Sequence, residues 1–144
     1  MYHLVLSLLL PFATTAGVTS PEAATYKTAY KASIAQGKPL VVLVGADWCP
    51  GCQTMKRKVL PQLQAKGALT GVELAVVDSD AESKLAGQLM SGNSIPQLIM
   101  YYKTSKGWKR QQMTGAHSEE EVRAFIAEGV THTVVARKDS APAK

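Results

Sequence analysis

Cys49 and Cys52 are the only cysteines in the 144-residue chain, and they stand together in the stretch DWCPGC. A C-x-x-C pair can exchange disulfides, supply half of a metal site or close a small structural loop, so the motif alone leaves the chemistry open. A tetrahedral metal site needs two further ligands, and the imidazoles are limited to His3, His117 and His132, with no second cysteine pair. A structural disulfide across so short a loop constrains the unfolded chain little. A reduced, inert pair is the remaining bland alternative. What decides among them is the element on either side.

Upstream, Leu40 to Ala46 (LVVLVGA) is an apolar, valine-rich run without alternation, the pattern of a strand covered on both faces. Downstream, Cys52, Met55, Val59 and Leu63 recur along one side of a helix while Lys56, Arg57 and Lys58 fall elsewhere, and Pro61 predicts a kink or break. Cys49 therefore sits where a strand ends and a helix begins. Unpaired amides and the helix dipole there favour its thiolate, and Cys52, one turn on, can reach back to resolve a mixed disulfide. Asp47 stands as either a nearby proton acceptor or an exposed turn-capping acid, and its charge would oppose the Cys49 thiolate.

The rest of the chain must hold this junction. Ser20-Pro21-Glu22 reads as a helix start, with a helix over Pro21 to Gln36 docking through Tyr26, Tyr30 and Ile34 and ended by Gly37 and Pro39. Val72 to Val77 reads as a second buried strand. Ser79-Asp80-Ala81-Glu82 reads as a capping box opening a helix with Leu85, Leu89 and Met90 inward, ended by Ser91-Gly92-Asn93. Gln97 to Lys103 and Trp108 to Thr114 form a hairpin about Ser105-Lys106-Gly107. Ser118-Glu119-Glu120-Glu121 is another capping box, before a helix that buries Val122, Phe125 and Ile126. Helices between the first three strands argue for parallel crossovers, with an antiparallel pair at the edge: an α/β fold with a mixed sheet.

WCPGC after an apolar strand, the proline of SIPQL and the glycine of MTGAHS, in that order, resemble the thioredoxin superfamily over about Tyr26 to Val130. The form ADWC with a long helix after it is similar to extracytoplasmic thioredoxin-like reductant domains of bacteria. The resemblance implies a thioredoxin fold, with a central mixed sheet of about four strands flanked by helices. It implies Cys49 as attacking thiol, Cys52 as resolving thiol and Pro96 as a cis-proline facing them, with the backbone of Ile95 exposed as a short edge for an extended peptide. Trp48 would then wall the sulfurs or lie in the core, and Pro50 would share the docking patch with Trp48 and Ile95. Two departures stand out. Leu43 occupies the position where thioredoxins carry a buried acid, and the motif interior is Pro-Gly rather than Gly-Pro. Ile95 before the proline is the residue of thioredoxin-type reductants.

Composition bounds the rest. Apolar residues at 46% and charged residues at 19% suit one packed domain. The net charge of +5 is scattered, and the run Lys56-Arg57-Lys58 reads as a solvated helix face rather than a nucleic-acid site. Leu4 to Ala13 is an apolar stretch too short to span a bilayer, followed by small residues near Ala16 and Ala23-Ala24; no Lys or Arg precedes it, which keeps a cytosolic or uncleaved chain as the alternative to export. The expected organisation is a signal over residues 1–19, a thioredoxin-like domain over 20–130 and a flexible tail over 131–144. The function expected is reduction of disulfides in exported proteins, in the periplasm or another extracytoplasmic space, by a monomer without metal or organic cofactor. It would be recharged by a thiol donor, for which a membrane-borne protein is one candidate. The alternatives are a disulfide oxidase or isomerase, or a non-redox thioredoxin-fold binding protein.

Overall fold

A computed structural model describes residues 24–140, so the expected signal segment and the last four residues lie outside the described part of the chain. Its centre is β1 (Leu40–Gly45), whose six residues are all buried. Beside it lie β2 (Glu73–Asp78), β3 (Gln97–Thr104) and β4 (Gly107–Thr114), giving a four-stranded mixed sheet in the order β2-β1-β3-β4. β1 is parallel to β2, with Leu43 opposite Val76 and Gly45 opposite Asp78. β3 is antiparallel to both β1 and β4.

The strand period sorts the side chains onto two cores. Val41, Leu43, Leu98 and Met100 face one side, against Met55 and Val59, which follow helix α2 (Pro50–Thr54), and against helices α3 (Leu60–Ala65) and α5 (Glu119–Asp139). Leu40, Val42, Val44, Ala75, Val77 and Ile99 face the other, against α1 (Tyr26–Gln36) and α4 (Ser83–Leu89).

Five expectations need correction. The third strand is not parallel to the first two. α4 has seven residues, about 10 Å of rise, too little to carry the chain down a six-residue strand of about 20 Å. The chain therefore enters β3 from the end at which it left β2. α1 begins at Tyr26, capped by Thr25, whose Oγ1 accepts from the Thr28 amide at 3.4 Å, and Ala24 makes a parallel bridge to Ala75 instead of helix. Its buried residues are Ala29 and Ser33, while Tyr30 and Ile34 stay half exposed. Small side chains let the helix lie close to the sheet and push the large ones to its margin.

The chain stays helical from Pro50 to Ala65 through a π turn, Met55–Val59, in which the Leu60 amide bonds the Met55 carbonyl. The irregularity expected near Pro61 is this wider turn, and of the expected kink or break only the break is absent. No capping box forms at Ser79–Glu82. Asp78 Oδ1 accepts from the amides of Asp80 and Ala81 at 2.8 and 3.0 Å, so the helix starts later, at Ser83.

The expected tail from Thr131 is helical through Asp139. Beyond Ile126, α5 buries Gly129, Thr133 and Ala136, and Arg137 Nη2 donates to the carbonyls of Gln36 and Gly37 at 2.8 and 2.6 Å. The Ser118–Glu121 capping box at its start is complete.

Candidate redox site

Cys49 follows β1 closely and is the N-cap of α2, and its sulfur accepts from the Cys52 amide at 3.2 Å. The two cysteines form a disulfide with their Cα atoms 5.2 Å apart. Both are buried, Cys49 at 6% and Cys52 at 3% exposure, in a small cluster with Ala46 and Ile95. Gly45 explains how Cys52 can sit so low. A Cβ on Gly45 would meet the Cys52 Cβ at 2.8 Å and its sulfur at 2.9 Å, so the absence of a side chain there admits the resolving cysteine onto the strand.

The antiparallel entry of β3 brings the second half of the site to the same end of the sheet. Val44 is opposite Gln97, so Pro96 falls beside Gly45, and the Ile95–Pro96 peptide is cis. The Ile95 carbonyl oxygen lies 4.0 Å from the Cys49 sulfur. The disulfide has no S–H proton, so this is a van der Waals contact. Gly51 comes against this loop: a Cβ there would lie 3.4 Å from Pro96 Cδ and 3.3 Å from Ala116 Cβ. Among the described residues Ile95 makes no backbone hydrogen bond.

Ile95 packs against the cysteine pair, and Trp48 and Pro50 flank Cys49 along the chain. Trp48 is 70% exposed, so it is not a core residue, and its indole Nε1 donates to Asp80 Oδ2 at 2.8 Å. Pro50 is exposed, Ile95 half buried and Pro96 buried. Asp47 is exposed, and its Oδ1 accepts from Gln53 Nε2 at 3.1 Å and lies 3.5 Å from Lys56 Nζ. Leu43 is buried on the Cys52 side of the sheet. His117 lies near Glu121, and His132 stacks on Tyr102. No group of three His, Cys, Asp or Glu side chains able to hold a metal occurs among the described residues.

Three supporting residues escape a reading along the sequence. Asp80 fixes the Trp48 ring, and Asp78 shapes the turn that presents Asp80. The amides of Ala81 and Asp80, in that order, and then the Lys56 charge hold the Asp78 carboxyl below its ordinary range. Gln97 is fully buried, and its side-chain amide bonds the Ser91 amide and the carbonyls of Ser91 and Ser94 at 2.9 to 3.1 Å. It thereby clamps the loop leading into Ile95. Its place as the first residue of an otherwise apolar strand is the one available signal. A cleft of about 440 Å³ lined by Tyr26, Tyr30, Tyr101 and Trp108 lies on the other face of the sheet, away from the cysteines.

The thioredoxin family model matches residues 22–128. The chain belongs to the thioredoxin family. A thioredoxin from Thermus thermophilus superposes with a TM-score of 0.60 at 20% identity, over 72% of this chain and 82% of its own. Fasciola hepatica thioredoxin gives 0.54 at 25% identity over 74% and 96%. Trxlp from Edwardsiella tarda gives 0.54 at 27% identity over 69% and 91%. No curated protein sequence matches. Membership of this family with a paired Cys49 and Cys52 makes thiol–disulfide oxidoreduction the general chemistry of the site.

Proposed function

We propose that this thioredoxin-family protein reduces disulfides of exported proteins with the Cys49–Cys52 dithiol, outside the cytoplasm and as a monomer. The observation that carries the redox reading is the Cys52 amide aimed at the Cys49 sulfur at 3.2 Å, at the head of a helical run reaching Ala65. An amide donor and a helix N-terminus both favour a thiolate over a thiol at Cys49.

In the reductive direction the Cys49 thiolate attacks one sulfur of a substrate disulfide, forming a mixed disulfide and expelling the other sulfur as thiolate. Cys52, as thiolate, then attacks the Cys49 sulfur; the Cys49–Cys52 bond forms, the bond to substrate breaks, and the substrate leaves with two thiols. The unpaired backbone of Ile95 offers an extended peptide a partner beside the sulfur. Trp48 and Pro50 supply exposed apolar contact on the other side. A thiol donor, which we place at the membrane, recharges the pair. The apolar segment Leu4 to Ala13 supports export, and Ile95 before Pro96 supports the reductive direction.

The test is the equilibrium reduction potential of the pair against a defined thiol–disulfide buffer. A value near about −270 mV fits the reductant, whereas one between about −120 and −180 mV would replace it with an oxidase or isomerase.

A further inference from the structure

The reductive cycle requires Cys52 to lose its proton while shielded by the sheet, and the position that would hold a buried acid is Leu43. The register shows where a carboxylate does stand. Gly45 directs its missing Cβ at the Cys52 sulfur, and residues directly opposite on adjacent strands point to the same face. The residue opposite Gly45 is Asp78. The packing agrees, since Val76 and Leu74, two and four positions earlier on β2, contact the core on the Cys52 side.

Between them lies a small cavity of about 20 Å³, lined by Leu43, Gly45, Cys52, Gln53, Lys56 and Asp78 among others. It has room for about one water. Gln53 lines this cavity, and its Oε1 is buried with no hydrogen-bond partner. The orientation of this amide is fixed, because its Nε2 donates to both the carbonyl and Oδ1 of Asp47 at 3.1 Å. A buried acceptor without a partner is costly, and a water there would satisfy it. Asp78 engages the two amides of its turn through Oδ1.

We propose that this cavity is the proton exit of the resolving thiol: a water held by Gln53 Oε1 takes the Cys52 proton and passes it to Asp78, which replaces the acid missing at Leu43. The charged groups facing the cavity are Asp78 from β2, Lys56 from the π turn and Asp47 from the loop after β1. The turn amides of Ala81 and Asp80, and then Lys56, keep the Asp78 carboxylate ionised and lower its basicity, so it holds the proton only in passing to solvent. The balance is simple. Cys52 S–H yields its proton to the water, the water gives one to Asp78 and thence to solvent, and the Cys52 thiolate bonds to Cys49 as the substrate thiolate departs and is protonated.

The proposal rests on the dithiol reading, and the experiment separates the two. Reduced protein is mixed in a stopped-flow instrument with an aromatic disulfide whose thiolate is coloured. The first equivalent of colour reports attack by Cys49, and the second, independent of reagent concentration, reports resolution by Cys52. Asp78→Asn retains an oxygen for the turn amides and removes the base; Gln53→Met removes the acceptor for the water. Both are expected to slow the second phase at neutral pH by at least about tenfold, with the deficit closing as pH rises and hydroxide replaces the relay. The first phase should stay within about twofold. Unchanged second phases, or a deficit of equal size at every pH, would overturn the relay. Absence of a second equivalent from the unsubstituted protein would instead remove the dithiol reading, and the relay with it.

Discussion

Gly45→Ala tests how the site is seated. The added methyl would lie 2.8 Å from the Cys52 Cβ and 2.9 Å from its sulfur, with the Cys52 Cα at 3.8 Å. Separations under 3 Å must be relieved by movement, and neither wall is soft. Gly45 is held in β1 between β2 and β3, and Cys52 is tied both to its helix and to Cys49. Inserting one methyl into a tight core costs about 1–3 kcal/mol, and the rigidity on both sides places this variant near about 2 kcal/mol. For a domain of this size that corresponds to a fall in melting temperature of about 8 °C. Gly87→Ala is the matched control. Gly87 lies inside α4, where an added Cβ meets nothing within 4 Å, so the same chemical change should stabilise by about 0.5–1 kcal/mol through helix propensity. Denaturant unfolding of the oxidised proteins, fitted with a common m-value, measures both. Equal stability of Gly45→Ala and the unsubstituted protein would refute the claim that Gly45 exists to seat Cys52.

Gln97→Leu should cost about 2–3 kcal/mol in denaturant unfolding, because two carbonyls and one amide lose their partner in a buried setting. Arg137→Ala should raise amide exchange over residues 131–139 and cost about 1 kcal/mol, leaving the potential of the cysteine pair unchanged. The side chain of Ser118, then its amide, holds the Glu121 carboxyl below the usual glutamate range. A depressed carboxylate contributes stability above its unfolded pKa and loses it as pH falls through the folded one. Stability should therefore decline as pH drops below about 4, and Glu121→Gln should flatten that decline in a series of unfolding curves.

The parts legible in the sequence are those whose residue type and chemistry coincide. Cys49 and Cys52, the apolar run of β1 and the Ser118 capping box each carry a local signal, and each lies where that signal puts it. The misreadings at Ser79 and at the end of α5 share one physical cause: competition from groups distant or small. The capping sequence at Ser79 is sound in isolation, but Asp78 at the end of β2 takes the amides first. The end of α5 reads as unstructured because Gly129, Thr133 and Ala136 are weak hydrophobic signals, although small residues are what allow a helix to lie against Met100 and Tyr102. Its anchor, Arg137, bonds the Gly37 carbonyl from 100 positions along the chain, and no local window contains both.

The same reasoning bears on Leu43. Read along β1 alone, a leucine there is the loss of a proton acceptor, whereas read across the sheet it is a division of labour. On the Cys52 face, β1 offers Leu43 and Gly45 in succession, one closing the core and the other making room for the sulfur. A carboxylate at position 43 would be desolvated, and desolvation penalises its charged form. Asp78, one strand over and at the sheet's end, keeps two amide partners and contact with solvent, so its charge is retained at little cost. Moving the acid to the rim exchanges a strong, buried base for a weaker one that needs a water to reach its thiol. A protein built this way should respond to the Gln53 acceptor almost as strongly as to the carboxylate, because the carboxylate reaches Cys52 only through the water that Gln53 holds.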